Sequence, residues 1–347
     1  MKDGAWGLST GLIYNPGTYA KTDEMVALAK VAAAHGGIYA SHIRTEGPGV
    51  LSAIDEALTI GRQAGLPVHI SHLKASGPKA WGLASDEVAL IRKARAKGQA
   101  VTADQYPYEA SSTSLAATLV PARYRVGSPK EYLARLTDSQ IAPQLRQAIE
   151  KQIADRNAGK AVRIARYVPK PAWQGKTLLV IAAAEKRGIL DVVLEIERHG
   201  GAQIINFGMS PEDVRLIMKE RFVATASDGS SMVPGNTVPH PRSYGCFPRK
   251  IGRFAIEDKL LPVEQAVGSA SGLPAEILRL PQRGVLKAGY FADVVVFDPK
   301  TYRDRATFDK PHQYATGVRY LFVNGVVVID AGKYTGALAG KVLRHKK

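Results

Sequence analysis

The sequence predicts an α/β protein built on a parallel sheet, and three observations predict it. From the start to about residue 230, short apolar runs alternate with helical patterns. Several of those runs end on a side chain that can bind a metal or move a proton. After Gly284 the texture changes to closely spaced β runs joined by an Asn-Gly turn.

The elements follow in order. A strand over Gly7 to Leu12 leads through Asn15-Pro16-Gly17 to a helix that Thr22 can cap, with Asp23 and Glu24 in its first turn and Met25, Leu28 and Val31 as its apolar stripe. A strand over Gly37 to His42, a helix near Val50 to Ala64, a strand over Pro67 to His72, a helix near Asp86 to Lys97 and a strand over Val101 to Asp104 continue the rhythm. From about Pro121 to Lys219 it breaks into helices over Glu131 to Leu136, Gln144 to Arg156 and Lys176 to Lys186. No strand is predicted there before Gln203 to Asn206, so this stretch reads as an insertion or lid. Phe222 to Asp228 restores a strand that ends in a polar residue. Ala292 to Phe297, Val318 to Val323 and Val326 to Ile329 then form a small β module, which divides the chain into residues 1–283 and 284–347.

Composition bounds the function. A chain of 347 residues, 45% hydrophobic and 22% charged, can bury a real core, and it holds no apolar run of the roughly 20 residues a membrane helix needs. The single cysteine, Cys246, excludes an intrachain disulfide framework and a zinc site of several cysteines, and is read as inert packing. The first residues open no signal peptide, so a cytoplasmic location is the default. The net charge of +16, from 47 basic and 31 acidic residues, raises the question of an anionic partner. Nucleic acid is not expected, because there is no clustered basic helix, groove-reading motif or aromatic stacking series, and only Arg344 to Lys347 forms a basic run. No membrane partner is expected either.

Four residues carry the chemistry. His42, His72, Asp104 and Asp228 each sit at the carboxyl end of an apolar run, and in a βα barrel all such ends share the face where active sites lie. His42 and His72 fit consecutive βα units, so their imidazoles can converge on one ion. Neutral imidazole suits zinc, and a nearby aspartate can take a proton from a water. A lone strand-end histidine is more often a satisfied rim residue; two in successive units with a strand-end aspartate shift that balance. His69, out of phase with His72, is expected to face the helical layer, and His35 before Gly36-Gly37 to end a helix.

The segments 7–14 (Gly-Leu-Ser-Thr-Gly-Leu-Ile-Tyr), 41–46 (Ser-His-Ile-Arg-Thr-Glu), 71–75 (Ser-His-Leu-Lys-Ala), 104–108 (Asp-Gln-Tyr-Pro-Tyr), 226–229 (Ala-Ser-Asp-Gly), 240–245 (His-Pro-Arg-Ser-Tyr-Gly) and 292–299 (Ala-Asp-Val-Val-Val-Phe-Asp-Pro) follow one another in an order that resembles the N-acyl-D-amino-acid deacylases (D-aminoacylases) of the amidohydrolase superfamily. The resemblance runs from Gly4 to about Arg344. It implies the carboxy-terminal part of a metal-dependent (β/α)8 TIM barrel, about strands 4 to 8 with the insertion at 121–219 before strand 8, plus part of a small β-sandwich. It implies His42 and His72 as zinc ligands, Asp228 as the general base, and one or two zinc ions in the complete enzyme. Lys74, Arg242 and Tyr106 would bind the α-carboxylate of an N-acyl-D-amino acid, with Ser112 a weaker candidate, and Tyr14 would hydrogen-bond the developing oxyanion. Asp104 is expected to hold its loop, and His240 is left between a partner of Arg242 and a plain loop residue. The family's His-x-His pair on the first barrel strand has no counterpart here, so this piece alone is expected to be weakly active or inactive. The alternatives are another amidohydrolase, dihydropyrimidinase-like or D-dipeptidase-like, and a catalytically silent half-enzyme that works with a partner chain.

Overall fold

Five parallel strands, β1 (Gly7–Gly11), β2 (Ile38–His42), β3 (Val68–Ile70), β4 (Val101–Gln105) and a later β8 (Val223–Thr225), form one sheet in the order β1-β2-β3-β4-β8. A computed structural model describes residues 1–345, so Lys346 and Lys347 of the basic run lie outside the described residues. Register is continuous across the sheet: Tyr39 pairs with Val68 and Val68 with Val101, which puts these buried residues on one face. That face packs against α1 (Thr22–Ala34), α2 (Val50–Ala64) and α3 (Ala84–Ala96), with Ile54, Ile60, Ile70 and Ile91 wholly buried between the layers.

The helices occur near their predicted places, but α1 turns a different face inward. Met25, Val26, Ala29 and Ala32 are buried, whereas Leu28 and Val31 are 47% and 61% exposed. Of the predicted stripe Met25 is buried as expected, but Val26, Ala29 and Ala32 take the places expected of Leu28 and Val31. Thr22 is the first helical residue rather than the cap, and its hydroxyl donates to Glu56 Oε1 at 2.8 Å instead.

The stretch expected to be helical contains more sheet than predicted. β5 (Ala110–Ser114), β6 (Val162–Arg166) and β7 (Gln203–Phe207) form a three-stranded antiparallel sheet in the order β5-β7-β6. It carries α4 (Leu115–Leu119), α5 (Pro129–Arg135), α6 (Ala142–Ala154), α7 (Leu178–Ala184) and α8 (Ile189–Arg198) around a core of their own. β6 was missed because its five residues alternate Val162 and Ile164 inward with Arg163 between them, and the flanking arginines hide so short a strand pattern. After α9 (Pro211–Met218) and β8, a long loop reaches α10 (Arg242–Pro248). A π-helical stretch over Arg249–Glu257, α11 (Val263–Ala270) and α12 (Gly272–Ile277) follow.

The final module matches its prediction. β9 (Val294–Phe297), β10 (Val318–Val323), β11 (Val326–Asp330) and β12 (Lys333–Tyr334) form a four-stranded antiparallel sheet. Asn324 and Gly325 both have positive φ, +50° and +81°, as the two-residue hairpin turn requires. Among the described residues, no helix is long and apolar enough to cross a membrane.

Candidate active site

The carboxyl ends of β2 and β3 bring His42 and His72 together, with ring centroids 4.3 Å apart. His42 is the last residue of β2. His72 leaves β3 through a left-handed turn, φ +41°, a conformation that costs energy for any residue but glycine and has to be held in place. Asp104 at the end of β4 holds it: Oδ1 accepts the His72 backbone N–H at 2.8 Å, and Oδ2 bonds His69 Nε2 at 2.6 Å. Asp104 thus braces the neighbouring loop, and the His69 contact keeps its carboxyl below the usual range against the opposing effect of burial. This places His69 opposite to expectation. It pairs with Thr102, binds Thr102 Oγ1 at 2.9 Å, and lies on the sheet face away from α1–α3, because its strand neighbours Val68 and Ile70 fill the helical side.

A third residue completes the pocket, one that sequence reasoning passed over. Glu46 follows His42 by four residues, and its Oε1 lies 3.3 Å from His42 Nε2 and 3.1 Å from His72 Nδ1. One donor atom from each of His42, Glu46 and His72 falls within 4.8 Å of the others. The signal was present in Ser-His-Ile-Arg-Thr-Glu, where the acid lies one turn-length beyond the histidine, but a loop carboxylate has no periodicity to mark it. Burial drives His42 down to about 3 even against the pull of Glu46, so its imidazole is neutral, and its Nε2 is buried without a hydrogen-bond partner. Two imidazoles and a carboxylate are the donor set of a catalytic zinc site, and an orphaned ring nitrogen is a fit for that ion.

Lys74 reaches into the same pocket. Its Nζ is 2.5 Å from Glu46 Oε1 and 2.8 Å from His72 Nδ1, and its side chain is only 6% exposed. Since an ammonium can only donate, that contact makes His72 Nδ1 an acceptor. Burial would raise the Glu46 carboxyl, but the ammonium and then the two histidines override it and hold the group well below the ordinary carboxylate range. The lysine assigned to substrate therefore has an internal partner.

The remaining candidates cluster beside this pocket. Asp228 follows β8 with φ +46°, and its Oδ2 is 2.9 Å from Arg242 Nη1 at the start of α10. Glycine at 229 makes that possible: a Cβ there would meet Ser243 Cα at 2.9 Å, so only a residue without one lets the chain pass so close to α10. The Arg242 guanidinium lies over the Tyr106 ring at 4.5 Å, with Lys74 Nζ 5.6 Å from the same ring. His240 acts as a partner of Arg242: its Nδ1 accepts the Arg242 backbone N–H at 3.0 Å, and its Nε2 bonds the Ala110 carbonyl at 2.8 Å. Tyr106 OH and Arg242 Nη1 are both buried without a hydrogen-bond partner among the described residues.

Tyr14 and Ser112 stand at the edge. The Tyr14 ring is 4.9 Å from that of His42, with its hydroxyl 3.2 Å from Thr113 Oγ1. The Ser112 hydroxyl is already spent on the Ile204 carbonyl at 2.9 Å, and the residue meets Arg242 through its backbone oxygen at 3.5 Å. Cys246 is buried packing, its thiol pushed up to about 12 by burial.

A parallel α/β sheet with a two-histidine, one-carboxylate pocket at its strand ends is an arrangement that can hold a metal ion. The chain belongs to the amidohydrolase family, whose model matches residues 2–329. It is 37% identical over 343 residues to a D-aminoacylase of Alcaligenes xylosoxydans xylosoxydans, covering 99% of this chain and 62% of that protein. It is 38% identical over 345 residues to the N-acyl-D-glutamate deacylase of the same organism, again 99% and 62%. Among solved structures it is similar to N-acyl-D-glutamate deacylase from Bordetella bronchiseptica, complexed with zinc and a phosphonate inhibitor that mimics the tetrahedral intermediate. The TM-score is 0.79 at 35% identity, covering 98% of this chain and 63% of that one. The chain thus spans a little over three fifths of the length of these relatives.

Proposed function

We propose that the protein hydrolyses the amide bond of N-acyl-D-amino acids to a D-amino acid and a carboxylate, with zinc held by His42, His72 and the Glu46 carboxylate. The observation that carries this reading is the pair of unsatisfied buried donors, Tyr106 OH and Arg242 Nη1, beside the histidine pocket. A buried donor without a partner costs about 1–3 kcal/mol, so such a pair is kept where a ligand will satisfy it. An α-carboxylate does so, with the planar guanidinium offering a fork and the phenol a third hydrogen bond. A cyclic amide without a carboxyl substituent has nothing to offer them, which favours an open-chain substrate with a free carboxylate. The D configuration is taken from the names of the relatives.

Zinc, when bound, supplies Lewis-acid polarisation of the amide carbonyl and makes a water more acidic. The side chains do the rest. Tyr14 turns its hydroxyl from Thr113 to the carbonyl oxygen as negative charge develops there. Asp228 takes a proton from the attacking water and gives it to the amide nitrogen as the C–N bond breaks; the second proton of the water passes to the amine, so that a carboxylate and an ammonium leave. Lys74 neutralises Glu46 and adds positive potential on the carboxylate side. In this reading the five parallel strands are the fourth to eighth of a (β/α)8 barrel, residues 121–219 form an insertion before the last, and residues 284–347 are part of a β-sandwich.

The test is hydrolysis of N-acetyl-D-amino acids against their L enantiomers by the zinc-loaded protein in which this sequence occurs. Release of the D-amino acid alone, abolished in Asp228→Asn and Arg242→Gln, supports the reading. Equal turnover of both enantiomers, or activity that survives both substitutions, refutes it.

A further inference from the structure

We propose that Asp228 and the carboxylate of an incoming ligand compete for Arg242, so that an anionic substrate unclamps its own general base. This rests on the reading of the site as a carboxylate-recognising amide hydrolase.

The geometry is that of an unfinished ion pair. Arg242 has a side chain only 6% exposed, and its Nη1 lies 2.9 Å from Asp228 Oδ2, yet the contact fails the angular requirement of a hydrogen bond and leaves that donor unmet. Nη2 has only a 3.5 Å contact with the Ser112 carbonyl, at the long limit for a hydrogen bond. The guanidinium is thus buried, charged and poorly satisfied. It is also fixed: His240 grips its backbone and the Tyr106 ring lies against its face.

Asp228 is the opposite case. Its side chain is 40% exposed, and its Oδ2 lies against an Nη1 that is itself buried. A ligand carboxylate can reach Nη1 only if Asp228 swings aside. A ligand carboxylate that takes the Nη1–Nη2 edge in bidentate fashion displaces the internal carboxylate from Nη1 into the pocket. There Asp228 is free to accept a proton. A ligand without a carboxylate has nothing to exchange, and Asp228 stays against the arginine. The selectivity for free acids then lies in two places: in binding, and in release of the base.

Equilibrium binding tests this apart from catalysis, with N-acetyl-D-alanine and its carboxamide as probes and calorimetry as the readout. Asparagine tolerates the left-handed backbone at 228, so Asp228→Asn keeps the turn and removes the competing charge. It is expected to bind the acid about tenfold more tightly than the native chain and the carboxamide no differently, and Arg242→Gln is expected to lose the acid. Asp228→Gly, equally at ease at positive φ, serves as the second variant and is expected to behave as Asp228→Asn does. Unchanged or weaker acid binding in both Asp228 variants overturns the exchange. Equal binding of acid and carboxamide by the native chain overturns instead the underlying reading of Arg242 and Tyr106 as carboxylate receptors.

Discussion

Substituting Glu46 by Gln removes one charge from the centre of the site and retains shape and an acceptor oxygen. At an effective dielectric of about 20, two unit charges at the 2.5 Å separation of Lys74 and Glu46 attract by about 7 kcal/mol, much of it offset by the desolvation both groups suffer. What the variant loses is set by the charge left behind. Lys74 has a 6% exposed side chain, and removal of one partner from a buried pair costs about 3–5 kcal/mol. The Glu46 side chain is 14% exposed, and His72 Nδ1 still accepts from Lys74 at 2.8 Å, which places the cost at the low end, about 3 kcal/mol. Denaturant unfolding without metal reads it as a lower midpoint at unchanged slope. Glu46→Gln with Lys74→Met, which removes both charges, should regain most of the loss. A single-variant cost under about 1 kcal/mol, or a double variant no more stable than the single one, would refute the view that this pair holds the pocket together.

Three further outcomes follow from the same geometry. Burial takes His42 from its ordinary 6.5 down to about 3, so unfolding takes up a proton between those values and stability falls as pH drops through that window; His42→Gln should flatten the curve by at most about 5 kcal/mol, read by denaturation from pH 7 to 3. Burial, helped by Asp213, pushes Glu87 up to about 8 from 4.5, and both its carboxylate oxygens lack partners, so stability falls as pH rises between those values. Glu87→Met should therefore be more stable than the native chain at pH 8, by about 2 kcal/mol, and equal stability would contradict the assignment. Gly229→Ala must push α10 away from Asp228; about 1–3 kcal/mol of thermal stability should go, along with affinity for N-acetyl-D-alanine.

The positions of His42, His72 and Asp228 were legible because the strands of a parallel sheet deliver their last residue, as for His42, or the two or three that follow, as for His72 and Asp228, to one rim, and apolar runs mark strand ends. The Asn324-Gly325 hairpin was legible because its turn needs two positive φ angles. Glu46 was not, since it stands in a loop and takes its role from contacts across the fold rather than from any pattern along the chain. The face of α1 misled for a related reason: alanines at 29 and 32 are buried, and hydrophobicity alone favours Leu28 and Val31. β6 failed because a five-residue strand bearing two arginines carries too few apolar positions to show its period. The side of the sheet that His69 occupies depends on the register of β3 against β4, which no single run records.

The central claim is that His42, Glu46 and His72 form one metal pocket. Cobalt(II), which takes zinc sites and reports its ligands by visible absorption, tests it most directly in an equilibrium titration of the native chain. The expected result is saturable binding with the intense bands of a site of low coordination number, displaced by zinc and lost in His42→Ala and in His72→Ala. Absence of bound cobalt, or binding that both substitutions leave unchanged, would contradict it.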